Sequence, residues 1–132
     1  DTVNLSARLE SATKEYGVAI LLSDATRRAL RCHYPLRELD QVRVKGKRES
    51  AIIHQLMLPA EQLDADRLAR FQQARSLYGE GRWQQAAQAF QALLADCPGD
   101  APTALFLQRC RSLAAQPPAQ WDGVWPPLRD AS

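Results

Sequence analysis

The spacing of the apolar residues and the composition of the chain both change at Pro59, and this change constrains the fold more than any other feature. Before Pro59, apolar residues alternate between helix-like and strand-like spacing, whereas residues 61–115 are rich in Ala, Leu, Gln and Arg at helical spacing. The 132 residues are enough for one modest domain or for two small units that share a core. We therefore predict an α+β fold in three parts: a mixed region at 1–59, an all-α region at 60–116 and a proline- and tryptophan-rich strap at 117–132.

The mixed region has the pattern of a helix, a strand, a second helix and a β-hairpin. Residues 2–16 have amphipathic helical spacing, and Gly17 is a typical helix stop. The apolar run at 18–23 predicts a buried strand, and the capping residues of "SDATRRAL" predict a short helix after it. Val42 and Val44 then alternate with charged residues. "GKRE" is the predicted turn of a hairpin, and "AIIHQLML" is its returning strand.

Three helices are predicted in the all-α region, with Gly79, Gly81 and "DCPGDAP" as the only interruptions. They span about Asp64–Tyr78, Trp83–Asp96 and Pro102–Ala115. The strap, "QPPAQWDGVWPPLRDAS", contains prolines that disfavour a helix. Because Trp121 and Trp125 are costly to leave in water, we expect the strap to pack in an extended form against the body of the protein.

The all-α region carries small and aromatic residues at a recognisable spacing. They are Ala74, Gly81, Trp83, Ala86, Phe90, Leu94 and Pro98. Small residues let two antiparallel helices approach closely and aromatic residues fill the space between them, and the spacing resembles that of a tetratricopeptide repeat. A single repeat cannot bury its own faces and must lean on a neighbour. Two roles stay open for this region: a structural or docking role, and a groove that binds a protein partner.

Composition and charge exclude several classes of function. A formal net charge of +2 is too small to argue for a nucleic-acid partner. No apolar run approaches the roughly 20 residues of a membrane-spanning helix. Cys32, Cys97 and Cys110 lie far apart, and together with His33 and His54 they show no zinc-like spacing. We expect reduced structural thiols in a cytoplasmic setting, no metal ligand and no catalytic histidine.

The opening segment, "DTVNLSARLE", places Asn4 and Arg8 one helical turn apart. It resembles the segment of class III adenylate and guanylate cyclases that reads G-[DN]-T-V-N-x-A-x-R. "SATKEYGVAILLSDAT" is similar to the helix end, strand and helix start that follow in those enzymes, and "LRELDQVRVKGKRESAIIHQL" is similar to their last hairpin. The resemblance covers roughly the first 58 residues. It implies the C-terminal half of a ferredoxin-like cyclase domain.

The resemblance implies conversion of a nucleoside triphosphate, ATP or GTP, into a 3′,5′-cyclic monophosphate and pyrophosphate. Arg8 matches the arginine that stabilises the transition state, and Asn4 matches the asparagine that orients the ribose. Lys45, the first lysine of "VKGK", matches the lysine that binds the outer phosphates. The family uses two metal ions, Mg²⁺ or Mn²⁺, whose ligands we expect upstream of residue 1. Its active site lies between two head-to-tail catalytic domains, which implies a homodimer.

The same resemblance implies that the chain is the C-terminal part of a longer cyclase and is inactive alone. Its layout is similar to the ends of bacterial cyclases with an extracytoplasmic sensor and membrane helices, so we expect a cytoplasmic portion of a membrane-anchored receptor. The alternative is a non-catalytic scaffold, in which a degenerate cyclase-like domain and a helical repeat bind partner proteins. A nucleic-acid binder fits poorly, because the predicted strands lack exposed aromatic residues interleaved with basic ones.

Overall fold

The computed structural model describes residues 2–43 and 49–127, with the side chains of residues 2–8 outside that description. The chain forms two compact units, Asp1–Gln62 and Leu63–Ser132. The described residues combine helices with an antiparallel sheet, which confirms the mixed α+β class. In chain order the elements are α1 Thr2–Tyr16, β1 Leu21–Ser23, α2 Asp24–Ala29, β2 Leu36–Arg43, β3 Ser50–Leu56, a 3-10 helix Pro59–Glu61, α3 Ala65–Gly79, α4 Trp83–Asp96 and α5 Ala101–Ala115.

The two helices of the first unit begin and end at local sequence signals. Gly17 adopts φ 70° and ends α1. The amides of Gly17 and Val18 both donate to the carbonyl oxygen of Thr13, at 3.0 and 3.1 Å, so a carbonyl at the helix end is satisfied. Ser23 precedes α2, and its hydroxyl oxygen accepts the amide of Thr26 at 3.1 Å. Both boundaries lie where the sequence predicts them.

Strand β3 lies between β1 and β2 and is antiparallel to both. β1 begins at Leu21, which pairs with Gln55, although the sequence predicts a strand from Val18. The physical reason is that β3 ends at Leu56, whose amide donates to the carbonyl oxygen of Ile20 at 3.1 Å. The residues before Ile20 have therefore passed the end of the neighbouring strand. Val18 is nevertheless buried, as its apolar character predicts.

The three helices of the second unit lie within one residue of their predicted bounds. α3 begins at Ala65 because Asp64 is its cap, whose Oδ1 accepts the amide of Arg67 at 2.8 Å. α5 begins at Ala101 and carries Pro102 in its first turn, where the absent N–H costs no hydrogen bond. Among the described helices of both units, none combines the length and the apolar character that a membrane crossing requires.

Phe106 on α5 is the centre of the second unit's core and is fully buried. Its ring contacts Phe71 and Tyr78 edge-on, at centroid distances of 5.8 and 5.0 Å, and stacks on Phe90 at 5.5 Å. Edge-on and offset contacts of this kind stabilise a core beyond the apolar area that they bury. The aromatic residues therefore bind α3, α4 and α5 together.

The residues with repeat-like spacing are buried in part. Ala74, Ala86 and Phe90 are fully buried, so small side chains do lie where the helices approach each other. Gly81 adopts φ 84° between α3 and α4, a conformation that favours glycine. Leu94 is only half-buried, and the fully buried leucine of α4 is Leu93. The buried face of α4 therefore differs at its end from the face that the spacing predicts.

The strap forms neither helix nor strand over residues 117–127 and packs on the helices of its own unit. The ring of Trp121 contacts Tyr78 and Trp83 edge-on, at 5.4 and 5.6 Å. Its Nε1 donates to the carbonyl oxygens of Tyr78 and Gly79, at 3.2 and 3.0 Å. These carbonyls belong to the last turn of α3, which leaves such groups without partners inside the helix. Trp121 thus caps α3 while it covers the neighbouring aromatic rings.

Candidate functional site

Helix α1 carries two of the three residues that the sequence singles out. Asn4 and Arg8 are four positions apart in a continuous helix, so their Cα atoms are separated by about 6 Å along the axis. Residues at this spacing are neighbours on a helix surface. The helix is confirmed. Because both side chains lie outside the described part of the chain, the roles of Asn4 and Arg8 stay predictions.

The third residue, Lys45, lies outside the described residues. Strand β2 ends before it at Arg43, and β3 begins after it at Ser50, and these two residues pair directly. Lys45 therefore belongs to the segment that joins two paired antiparallel strands, as the predicted hairpin requires. Its binding of a phosphate stays a prediction.

A buried hydrogen bond joins α1 to β2. Tyr16 is the last residue of α1, and its hydroxyl donates to Oδ2 of Asp40. Both residues are 1% exposed. The other carboxylate oxygen, Oδ1, accepts the amide of Gln41 at 2.8 Å. Burial of the carboxylate is tolerated because both of its oxygens accept hydrogen bonds. The helix of Asn4 and Arg8 is thereby tied to the strand that leads to Lys45.

A β-bulge explains how Asp40 reaches Tyr16. Glu38 pairs with His54 and Asp40 pairs with Ile53, so Leu39 is an extra residue in β2. In a regular strand, Asp40 would share a face with Glu38, which is exposed. With the extra residue, Leu39 and Asp40 are both buried although they are neighbours. The bulge therefore turns the carboxylate into the core.

A second buried polar pair joins β3 to α2. His54 is 5% exposed, and its Nε2 lies 2.9 Å from Oδ1 of Asp24. Because an ionised carboxylate can only accept, this nitrogen carries the proton. The hydrogen bond from His54, and after it the guanidinium groups of Arg27 and Arg28, lower the pKa of Asp24. The sequence predicts no catalytic role for His54. Its contact with Asp24 holds α2 against β3.

The lowered pKa of Asp24 predicts a loss of stability in acid. A carboxyl group whose pKa is lower in the folded chain than in the unfolded chain stabilises the fold at pH values above its ordinary pKa of 3.8. This contribution is lost as the pH falls below 3.8. We expect Asp24→Asn to destabilise the protein at pH 6 and to have a smaller effect at pH 3. Urea unfolding followed by circular dichroism measures both values. Asp66→Asn, which removes a carboxyl that is 80% exposed, is the control. An Asp24→Asn effect of equal size at both pH values would contradict the prediction.

Arg37 and Gln55 form a third buried polar pair, directly across β2 and β3. Each is 1% exposed, and Nε and Nη2 of Arg37 donate to Oε1 of Gln55 at 2.9 and 2.6 Å. Arginine is almost never fully buried unless it is paired. The sequence does not predict any of the three pairs. At least one partner in each pair is a polar residue of a strand, and such residues are ordinarily expected to face solvent. The one local signal is Asp24, which stands among the predicted capping residues of α2.

The described residues offer no metal centre, and one of their three cysteine thiols is fully buried. Within residues 2–43 and 49–127, no group of three or more His, Cys, Asp or Glu side chains could hold a metal ion. Cys32, Cys97 and Cys110 are free thiols. Burial raises the pKa of Cys110 to about 12, so this thiol stays protonated and is a poor nucleophile.

An open groove of about 430 Å³ lies in the second unit, between the start of α4 and the end of α5. Residues 81–85 line one side of it, and Ala114 and Pro117 line the other. Trp83 is one of these lining residues, and its indole Nε1 is buried and has no hydrogen-bond partner among the described residues. The groove combines an apolar wall with polar side chains, as binding grooves do.

Comparison with known proteins relates the chain to adenylate cyclases. It is similar to the adenylate cyclase, terminal-differentiation specific, of Dictyostelium discoideum, with 32% identity over 117 residues. It is also similar to an adenylate cyclase of Anabaena cylindrica, with 41% identity over 59 residues. The alignments cover 83% and 42% of the chain, and the chain spans 6% and 12% of the two relatives. The predicted relationship to cyclases is confirmed. No model of a protein family and no solved structure matches the chain.

Proposed function

We propose that this chain, whose sequence is related to adenylate cyclases, supplies part of a class III nucleotide cyclase. The complete enzyme would convert a nucleoside triphosphate into a 3′,5′-cyclic monophosphate and pyrophosphate. The observation that carries the proposal is the 32% identity to an adenylate cyclase over 83% of the chain. Because both relatives are named adenylate cyclases, ATP is the favoured substrate and GTP the alternative.

Arg8 is proposed to stabilise the transition state. In the reaction, the ribose 3′-oxygen attacks the α-phosphorus, and the bond from this phosphorus to the leaving pyrophosphate breaks. Negative charge grows on the α-phosphate oxygens and on the pyrophosphate as the bond breaks. A guanidinium group can donate two parallel hydrogen bonds to such oxygens. It accelerates the step because the charge that it meets is larger in the transition state than in the substrate.

Asn4 and Lys45 are proposed to bind and orient the substrate. The amide of Asn4 can donate to and accept from the ribose, and its position one turn from Arg8 suits a sugar that is bonded directly to the α-phosphate. The ammonium group of Lys45 suits the outer phosphates, which a compact point charge binds without strict geometry. Orientation of the attacking oxygen lowers the barrier because freedom of the sugar is lost before the chemical step.

The proposed reaction requires magnesium or manganese ions, although no group of three or more candidate ligands among the described residues could hold one. We assign the metal ligands to a segment of the complete enzyme that precedes these residues in the family. We also assign a second catalytic domain, in a homodimer, to the opposite side of the substrate. No step is attributed to a metal within this chain. The residues contributed here act on the sugar and the phosphates alone.

We expect the 132-residue chain alone to form no cyclic nucleotide, because we assign the metal ligands to another segment of the complete enzyme. Incubation with ATP or GTP and Mn²⁺, followed by chromatography of the nucleotides, tests this expectation. The complete protein under the same conditions is the positive control. Clear formation of cyclic AMP or cyclic GMP by the chain alone would overturn the assignment of the metal ligands to another segment.

A second candidate function is a non-catalytic scaffold, which the groove at the start of α4 favours. In this proposal the helical unit resembles a single tetratricopeptide hairpin and docks a protein partner beside Trp83. The two functions differ in one measurable property. A complete protein that is folded, binds a partner through this unit and forms no cyclic nucleotide would favour the scaffold.

A further inference from the structure

We infer that Tyr16 and Asp40 are positioning residues, which set how the helix of Asn4 and Arg8 lies on strand β2. The inference rests on the proposed function. Its starting observation is the hydrogen bond from the Tyr16 hydroxyl to Asp40, which joins the end of α1 to the middle of β2. One of these elements carries the predicted transition-state arginine, and the other leads to the predicted phosphate-binding lysine.

Because Arg8 lies far from Tyr16 along α1, a small change in the angle of the helix at this hydrogen bond displaces Arg8 by a large distance. Arg8 precedes Tyr16 by eight residues of helix, which is about 12 Å along its axis. The end of β2, at Arg43, follows Asp40 by three residues of strand, which is about 10 Å. A tilt of α1 by about 10° at Tyr16 would therefore move the backbone at Arg8 by about 2 Å. Misplacement of a catalytic group by about 1 Å can cost on the order of 10² in rate.

The link can set an angle because it is directional. The apolar residues of the same core, such as Ala12, Leu39 and Val42, are almost completely buried, but the hydrophobic effect that buries them has no directional requirement. A hydrogen bond requires a defined distance and angle, and a bond to a carboxylate is stronger than one between neutral groups. Asp40 is held in turn by the amide of Gln41. The phenol of Tyr16 therefore meets an acceptor that is itself fixed.

Stability alone does not explain why a carboxylate is buried here. A buried charge is costly to desolvate, and apolar side chains of similar size often stabilise a core as well or better. The burial of this charge also requires an irregular strand, because the bulge at Leu39 is the feature that turns Asp40 inward. Bulges that re-aim a side chain are over-represented beside active sites. Together, the bulge and the buried pair specify one arrangement of α1 on the sheet.

Kinetics of the complete cyclase test the inference. Tyr16→Phe removes only the hydroxyl, and we expect it to lower kcat about tenfold with little change in KM, because α1 is misplaced. Asp40→Leu should have the same effect, and the double variant should be no slower than either single variant. Asp40→Asn keeps one of the two acceptor oxygens and should restore part of the rate. Tyr78→Phe removes the same atom from a fully buried tyrosine of the second unit and is the matched control.

A distance measurement gives a readout that does not depend on activity. Spin labels at Glu10→Cys on α1 and Glu49→Cys before β3 occupy exposed positions. Cys32 and Cys97 are replaced by serine, and Cys110 is buried and does not react. The labelled complete protein is diluted with unlabelled protein, so only distances within one chain contribute. We expect a narrow distribution in the parent sequence and a broadened or shifted one after Tyr16→Phe.

Each result has a defined meaning. A slower kcat together with a changed distance distribution in Tyr16→Phe supports the inference. An active protein in which Tyr16→Phe leaves either kcat or the distance distribution unchanged, well below its Tm, overturns the inference and leaves the proposed function standing. A complete wild-type protein that forms no cyclic nucleotide overturns the proposed function and, with it, the positioning role for this reaction, whatever the distances show.

Discussion

Arg8→Ala in the complete protein is expected, from the proposed cyclase function, to lower kcat by on the order of 10²–10³-fold, the loss found when one preorganised transition-state donor is removed. KM should change far less, because in the proposed role the guanidinium meets its full charge only as the bond to pyrophosphate breaks. Steady-state kinetics with ATP and Mn²⁺ measure both constants. Arg8→Lys keeps the charge but loses the planar fork, and it should restore only part of the rate.

Arg31→Ala is the matched control for this prediction, because Arg31 is an exposed arginine of the same unit that no proposed role involves. It should leave kcat and KM unchanged. If Arg8→Ala acts mainly on KM, the residue binds substrate and transition state equally, and its proposed role is wrong. A loss of folded protein is checked separately by the Tm of each variant.

Trp121→Ala should cost about 3 kcal/mol of unfolding free energy, at the lower end of the range for removing a large aromatic side chain from a core. The variant loses ring contacts with Tyr78 and Trp83 and two hydrogen bonds to the end of α3. For a unit of this size, that loss corresponds to a fall in Tm of about 12–24 °C. All three tryptophans belong to the second unit, so their fluorescence on heating reports this unit alone.

Trp125→Ala is the comparison, and its effect should be smaller. Trp125 is half-buried, and its ring lies 5.2 Å from the guanidinium of Arg109. Such a contact contributes about 0.5–2 kcal/mol. If Trp121→Ala melts at the temperature of the parent chain, the strap does not support the helical unit. Emission of the strap tryptophans like that of free indole in water would contradict the docking directly.

Local signals explain why most helix boundaries could be predicted. Gly17, Ser23 and Asp64 act through hydrogen bonds to residues three or four positions away, so the sequence around each contains the whole interaction. The length of β1 could not be predicted in this way. It depends on where β3 ends, and β3 lies about thirty residues further along the chain.

The buried polar pairs show the same limit within the candidate site. The motif around Asn4 and Arg8 predicts two residues of the candidate site, and the helix between them follows from periodicity. The bond from Tyr16 to Asp40 requires a bulge in a strand 24 positions away, and no local pattern encodes it. The burial of Arg37 likewise depends on its partner Gln55, which lies 18 positions further along the chain.

The measurement that tests the account most directly is the nucleotide product of the complete purified protein. Incubated with ATP and Mn²⁺, it should form 3′,5′-cyclic AMP and pyrophosphate in equal amounts, and a parallel incubation with GTP shows which base is preferred. Arg8→Ala should form both products far more slowly. A folded complete protein that forms neither cyclic AMP nor cyclic GMP would contradict the proposed cyclase function.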